Sequence, residues 1–116
     1  MKPSKILYTA HATSTGGPGG GTNPQQLFTA GYAACFGSSI EFVTRQQKID
    51  IGSVTVSADV GIGPSGSGFG LQVALLAKIS GVDRATGEGL IARAHEVCPY
   101  SNATRGNIDV TIRADG

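Results

Sequence analysis

Apolar and polar residues alternate in four segments of the chain, a period typical of half-buried β-strands. The first segment runs from Lys5 to Thr13. In the other three, the residues predicted to face the core are Val54, Val56, Ala58, Val60 and Ile62, then Phe69, Leu71, Val73, Leu75, Ala77 and Ile79, and finally Ile108, Val110 and Ile112. Residues 61–68 are rich in Gly, Pro and Ser, so the second and third strands are predicted to form a hairpin.

The segment after the first predicted strand has the signals of a helix start. Asn23 is a good N-cap and Pro24 fits the first helical position, where no N–H is needed. Gln26 stands three residues after Asn23, the spacing of a capping box. From Pro24 to about Gln46 the sequence is apolar or small nearly all round as far as Val43. This composition predicts a helix that is buried on most sides.

A second helix is predicted before the last strand. Asp83 is its expected N-cap and Pro99 its expected stop. The predicted order is therefore β, α, β, β, α, β, which indicates an α+β fold with a mainly antiparallel sheet and helices on one side. The length of 116 residues fits a single domain, 1–116.

Charge and hydropathy exclude several classes of partner. Nine basic and eight acidic residues give a net charge of +1, which favours neither a nucleic acid nor an anionic membrane surface. No apolar stretch approaches the roughly 18 residues that a membrane span needs. Because Met1–Lys5 leads straight into a strand without an apolar leader, the chain is expected to be cytoplasmic. In a reducing compartment, a cysteine pair is more often catalytic or redox-sensing than structural.

The chain has two cysteines, both in predicted ordered segments. Cys35 shares one helical face with Gly31 and Phe28, and burial in such an apolar place raises a thiol pKa unless a positive group lies nearby. Cys98 precedes Pro99 at a helix end, which suits a thiol that resolves a sulfenic acid. The alternative is that both are small buried hydrophobes, and the spacing alone leaves both interpretations open.

Neither the two histidines nor the two glycine clusters predict a binding site for a metal or cofactor. His11 falls on the polar face of the first strand, and His95 stands three residues before Cys98, within reach of it on a helix. The ligand spacings of zinc sites are absent from the sequence. Residues 16–21 and 61–68 match neither the dinucleotide nor the P-loop fingerprint. No metal or cofactor is therefore predicted.

Two longer motifs resemble a known family. Residues 21–36, GTNPQQLFTAGYAACF, resemble the peroxidatic helix of the organic hydroperoxide resistance proteins, which belong to the superfamily of osmotically inducible peroxidases. Residues 94–107, AHEVCPYSNATRGN, resemble the resolving segment of that family. The resemblance extends over essentially the whole chain.

The resemblance implies an activity and an assembly. Cys35 would be the peroxidatic cysteine of an organic hydroperoxide reductase, and Cys98 would resolve its sulfenic acid as an intramolecular disulfide. Supporting roles would fall to Gln25, Gln26, Tyr100 and Asn102. The substrate would be an organic or lipid hydroperoxide, and the reductant a dihydrolipoyl protein or another dithiol. The protein would be an intertwined homodimer with the Cys35 helices at its centre.

The chain departs from the family pattern in two places. The family carries an arginine loop and a hairpin after the first strand, whereas here Thr13–Gly17 runs directly into Pro18–Gly21. At the position of the family's glutamate stands Gln25, a neutral acceptor that pairs less strongly with arginine. Besides a peroxidase, the sequence therefore allows a catalytically impaired homologue that binds apolar ligands or senses oxidants, or a purely structural dimeric domain.

Overall fold

Three helices and three strands make up the part of the chain that the computed structural model describes, which is Lys5 and residues 24–115. In chain order they are α1 (Pro24–Gln47), β1 (Val54–Ser65), β2 (Gly68–Ile79), α2 (Arg84–Val97), α3 (Pro99–Thr104) and β3 (Asp109–Ala114). Apart from Lys5, the predicted first strand lies outside the described residues, and so does the segment 13–21 that departs from the family pattern.

The described strands form one sheet in the order β1-β2-β3. The hairpin is confirmed, since β1 pairs antiparallel with β2 from Val54↔Ile79 to Ser65↔Gly68. Its turn contains Gly66 at a φ of 57°, the left-handed region that favours glycine. The shorter β3 pairs parallel with β2, because α2 and α3 form a crossover between these two strands. The sheet is thus mostly antiparallel, as predicted, with β3 as the exception.

Side chains on the core face of the sheet are buried at its middle and exposed at the turn end of the hairpin. Val73, Leu75 and Ala77 are buried, as the alternation predicted. The prediction is wrong for Ile62 and Phe69, which are 56% and 78% exposed. Both lie where the hairpin extends beyond the first residues of β3, so this end of the described sheet has two strands only.

Helix α1 packs one face on the sheet and leaves the other open. Its buried residues are Tyr32, Phe36, Ser39, Ile40, Val43 and Thr44. The opposite face carries Leu27 and Phe42, which are 59% and 48% exposed. Within the single described chain, α1 is therefore buried on one side, and its central burial in a homodimer stays a prediction. Its apolar residues are divided between a core face and an outward face.

Helices α2 and α3 meet at a corner that places Cys98 in the core. Asp83 is the N-cap of α2, as predicted, and its side chain accepts a hydrogen bond from the Thr86 N–H at 2.8 Å. Pro99 does follow the end of α2, but it also begins α3, because its ring suits the first position of a helix. No helix among the described residues is long and apolar enough to cross a membrane.

Candidate active site

The two cysteine thiols face each other across the interior of the fold. Sγ of Cys35 lies 3.3 Å from Sγ of Cys98, although the two residues are 63 positions apart in the sequence. Both thiols are free, Cys98 being fully buried and Cys35 partly exposed. A disulfide bond is about 2.05 Å long. A small approach would therefore join the two sulfurs.

The corner between α2 and α3 fixes Cys98 through its backbone. The Cys98 N–H donates to the carbonyl of Ala94 at 2.8 Å, which continues the bonding pattern of α2. The Cys98 carbonyl accepts from the N–H of Asn102 at 2.9 Å, which begins α3. Because the same residue closes one helix and opens the next, both helices determine the direction of its side chain.

A cavity of about 640 Å³ opens beside Cys35. It is lined by Gly31, Ala34, Cys35, Ser38, Ser39 and Phe42 of α1 and by Val97, Pro99 and Tyr100 of the corner. The volume lies within the range of small-molecule sites, and most of the lining residues are apolar or small. Cys35 therefore contacts the cavity directly, whereas Cys98 lies behind it.

The Tyr100 ring lines the cavity, and Phe28 packs against this ring. The Phe28 ring stacks on Tyr100 with centroids 5.9 Å apart and an interplanar angle of 21°. Tyr100 also lies against Gly31, where an added Cβ would be 2.8 Å from the Tyr100 hydroxyl oxygen. The predicted shared face of Phe28, Gly31 and Cys35 is confirmed, because all three turn toward Tyr100 or its cavity.

The surroundings of Cys35 favour its neutral thiol. The pKa of Cys35 is raised to about 11, chiefly by burial; a hydrogen bond from the Tyr100 backbone N–H lowers it, and the neighbouring Cys98 raises it. Desolvation disfavours the charged form of any acid, so the direction agrees with the expectation drawn from the apolar sequence. Within the described residues, the Tyr100 N–H is a group that stabilises the thiolate.

Comparison with known proteins places this arrangement in a family. The family model described as OsmC-like protein matches residues 17–113, which is most of the chain. The chain belongs to the family of OsmC-like proteins. Its fold is that of OsmC-like crystal structures, so the predicted fold class is confirmed.

Similar OsmC-like proteins carry the same descriptive name. The organic hydroperoxide resistance protein of Xanthomonas axonopodis pv. citri (strain 306) is 46% identical over 136 residues, which cover 95% of this chain and 96% of that protein. Because that alignment is longer than this chain of 116 residues, part of the Xanthomonas protein has no counterpart here. The predicted resemblance to organic hydroperoxide resistance proteins is confirmed.

Two crystal structures extend the comparison to the backbone. An organic hydroperoxide resistance protein of Legionella pneumophila has a TM-score of 0.91 and 42% identity, and the match covers 97% of this chain and 100% of that chain. A second, from Elizabethkingia anophelis with thiocyanate bound, has a TM-score of 0.79 and 51% identity, and the match covers 82% of this chain and 69% of that chain.

Of the four predicted supporting residues Gln25, Gln26, Tyr100 and Asn102, Tyr100 lines the cavity. The Gln25 carbonyl accepts a hydrogen bond from Thr29 Oγ1 at 2.6 Å, and Gln26 is exposed on the first turn of α1. Asn102 Oδ1 accepts from Arg105 Nη1 at 2.6 Å on the outer side of α3. Gln25, Gln26 and Asn102 are therefore not among the residues that line the cavity.

His95, on α2, stands apart from the thiols. His11 lies outside the described residues. The side chain of His95 lines a different cavity, next to Glu88 and Ile112, and burial together with the nearby Arg105 lowers its pKa. The possibility that His95 tunes Cys98 finds no support in this placement. Among residues 24–115, no group of three His, Cys, Asp or Glu side chains is arranged to hold a metal ion.

Sequence analysis missed a buried hydroxyl cluster beside the thiols. The Tyr32 hydroxyl lies 2.8 Å from Ser101 Oγ and 3.4 Å from Thr104 Oγ1. Tyr32 precedes Cys35 by three residues, and Ser101 follows Cys98 by three. Since residues three apart share a helix face, this spacing was the available signal.

Proposed function

We propose that this OsmC-like protein is a thiol-dependent peroxidase that reduces organic hydroperoxides to alcohols. The observation that carries the proposal is the pair of thiols 3.3 Å apart, one of which contacts a largely apolar cavity. The names of the relatives support the same activity. A cavity of this kind suits an alkyl or lipid hydroperoxide better than hydrogen peroxide, because it desolvates an apolar chain.

The first step takes place at Cys35. Its thiolate attacks the terminal oxygen of the hydroperoxide, an S–O bond forms and the O–O bond breaks. The leaving alkoxide takes up a proton and departs as the alcohol, so the substrate is reduced by two electrons and Cys35 becomes a sulfenic acid. The hydrogen bond from the Tyr100 N–H stabilises the attacking thiolate.

The second step joins the two cysteines. The Cys98 thiolate attacks the Cys35 sulfur, an S–S bond forms, the S–O bond breaks and the hydroxide leaves as water after protonation. A dihydrolipoyl protein or another dithiol then reduces the disulfide and restores both thiols. Such a donor is available in a reducing compartment, which agrees with the cytoplasmic location expected from the sequence.

With the described residues as its only surroundings, Cys35 should react slowly, because its thiol stays mostly neutral. With a pKa of about 11, about one thiol in ten thousand is ionised at pH 7. The resemblance implies an arginine that would raise this fraction, but the sequence runs directly from Thr13–Gly17 to Pro18–Gly21. We therefore propose that activity is weaker than in relatives that carry the arginine and a glutamate in place of Gln25.

We also propose that the protein is a homodimer joined through α1. The outward face of this helix carries Leu27, Ala30, Ala34, Ser38 and Phe42, all of them exposed in the single chain. These residues repeat every three or four positions and form one apolar or small stripe. The stripe borders the cavity, so a partner placed on it would contribute to the site.

The decisive experiment measures peroxide consumption by the reduced protein. Stopped-flow oxidation with cumene hydroperoxide, tert-butyl hydroperoxide and hydrogen peroxide compares the three substrates under one condition. We expect stoichiometric formation of the Cys35–Cys98 disulfide and faster reaction with the two organic hydroperoxides. A reduced protein whose thiols remain unoxidised by all three would contradict the proposal. The alternative of a ligand binder or oxidant sensor is not favoured, because relatives are named for hydroperoxide resistance.

A further inference from the structure

Three buried hydroxyl groups connect α1 to α3. Tyr32 and Ser101 are fully buried, and Thr104 is 3% exposed. The Tyr32 hydroxyl lies between the other two, at 2.8 Å from Ser101 Oγ and 3.4 Å from Thr104 Oγ1. Thr104 Oγ1 also donates to the Ser101 carbonyl at 3.2 Å. Hydroxyls that are buried together in this way restrain one another, since an unpaired buried hydroxyl is unfavourable.

This cluster lies one helical turn from the thiol pair on both sides. On α1, Tyr32 is three residues before Cys35, and on the facing segment Ser101 is three residues after Cys98. The Tyr32–Ser101 bond and the Cys35–Cys98 contact are thus two neighbouring links between the same two elements. A shift of α3 along α1 would break the first link and move the second.

In the Tyr32–Ser101 hydrogen bond, packing holds the Tyr32 side in place, whereas the position of α3 depends on tertiary contacts such as this bond. The Tyr32 side chain is fully buried, and its ring lies 6.0 Å from that of Phe28 on the same helix, measured between centroids, so packing restricts the position of its hydroxyl. Helix α3 has six residues, and a helix this short is not stable by itself. Its position therefore depends on tertiary contacts such as the hydrogen bonds to Tyr32.

We propose that Tyr32 is a positioning residue for closure of the Cys35–Cys98 disulfide. Its biological relevance rests on the proposed peroxidase function. The Tyr32 hydroxyl holds the segment 98–104 in register with α1, so that Cys98 Sγ stays beside Cys35 Sγ when Cys35 is oxidised. Tyr32 takes no part in the attack on the peroxide. Its effect is confined to the step in which the Cys98 thiolate displaces a leaving group from the Cys35 sulfur.

Ellman's reagent separates the two steps without any peroxide. The Cys35 thiolate attacks the reagent disulfide and releases one thionitrobenzoate, which leaves a mixed disulfide on Cys35. The Cys98 thiolate then attacks the Cys35 sulfur, the Cys35–Cys98 bond forms and a second thionitrobenzoate leaves. The first phase of absorbance reports access to Cys35, because Cys98 is buried. The second phase reports closure.

We expect Tyr32→Phe to slow the second phase about fivefold and to change the first by less than about twofold, as removal of one buried hydrogen bond predicts. Ser101→Ala should slow closure by a similar factor. The double variant should be little slower than either single one, because both substitutions remove the same bond. The matched control is Thr44→Val, which removes another buried hydroxyl of α1, bonded to the Glu41 carbonyl at 2.7 Å. It should leave both phases unchanged.

Three results would overturn the positioning role. These are an unchanged second phase in Tyr32→Phe, equal slowing of both phases, or slowing of closure by Thr44→Val to the same extent. Thermal unfolding of each variant shows that it is folded, and Ser101→Ala keeps the test valid if Tyr32→Phe is not. Because the assay contains no peroxide, its failure is distinguishable from failure of the proposed peroxidase, which is measured by peroxide consumption alone.

Discussion

Tyr100 lies over Gly31 so closely that a Cβ added at Gly31 would force the Tyr100 side chain to move. A Cβ on Gly31 would be 2.8 Å from the Tyr100 hydroxyl oxygen and 3.3 Å from two carbons of its ring. The Tyr100 ring also lines the cavity, and the backbone N–H of the same residue is hydrogen-bonded to the Cys35 sulfur. A glycine on α1 thus determines where a residue 69 positions later can lie.

Gly31→Ala should therefore reduce the rate of oxidation of Cys35. The new methyl group displaces Tyr100, and with it the backbone N–H that stabilises the thiolate, so we expect about a tenfold loss in kcat/KM, comparable to losing one charge-assisted hydrogen bond. Stopped-flow oxidation with cumene hydroperoxide measures this directly.

The matched control for this substitution is Gly37→Ala. An added Cβ there would lie 3.7 Å from Val56 Cγ2, an ordinary contact. Since alanine favours a helix over glycine by up to about 1 kcal/mol, this variant should be as stable as the wild type or more so, with an unchanged rate. Equal rates in the two alanine variants would contradict the role given to Gly31.

The two cysteines should differ in the step at which their variants fail. Cys35→Ser should consume no peroxide, because the thiol that contacts the cavity is gone. Cys98→Ser should consume one equivalent and then stop with Cys35 as a sulfenic acid. Dimedone trapping followed by mass spectrometry distinguishes the two. If both variants failed at the first equivalent, or if Cys35→Ser stayed active, the assignment of roles would be wrong.

The rate of alkylation of Cys35 should rise with pH well beyond neutrality. A pKa raised to about 11 means that the thiolate fraction increases about tenfold per pH unit up to that value. The same shift makes the folded state less stable as the pH rises from the ordinary thiol pKa to the raised one, because the unfolded state ionises first.

Iodoacetamide alkylation at a series of pH values measures the midpoint. In Cys98→Ala the midpoint should fall, since Cys98 contributes to the upward shift of the Cys35 pKa. A midpoint below about 6 in the wild type, typical of an activated cysteine, would show instead that a cation from the partner subunit or from residues outside the described range stabilises the thiolate.

Leu27→Glu should weaken the proposed dimer. The side chain is 59% exposed on the outward face of α1, where a partner would have to bury the new carboxylate at a considerable energetic cost. Sedimentation equilibrium at micromolar concentration measures the change. Leu76→Glu is the control, because Leu76 is 40% exposed on the outer face of the sheet. A wild-type monomer at this concentration would rule out the dimer.

Local signals in the sequence located the helix starts well. Pro24 and Asp83 marked the starts of α1 and α2, because these signals depend on neighbouring residues alone. The cap predicted at Asn23 lies outside the described residues. The prediction that Pro99 only ends a helix was incomplete for the same reason, because Pro99 also begins α3. A proline is expected both after one helix and at the start of the next, and the sequence does not show that α3 follows at once.

Period-two patterns predicted the faces of the strands but not what covers them. Ile62 and Phe69 stand on the core side by alternation, yet they are exposed because the hairpin reaches beyond β3. In the candidate active site, too, the sequence pattern does not show what a side chain contacts. The motifs identified Cys35 and Cys98, whereas Tyr32 looked like any core aromatic residue until its hydroxyl was seen between Ser101 and Thr104.

The long sequence separation of the two thiols makes stability depend on redox state. Closing a disulfide across 63 positions restricts the unfolded chain and would add about 4 kcal/mol to the free energy of unfolding. Thermal melts with and without dithiothreitol measure this difference, and equal melting temperatures would contradict it. When reductant is scarce, the disulfide form would accumulate, and we expect that form to be the more resistant to heat and proteolysis. The protein would then persist through oxidative stress as a durable reserve that a returning dithiol reactivates.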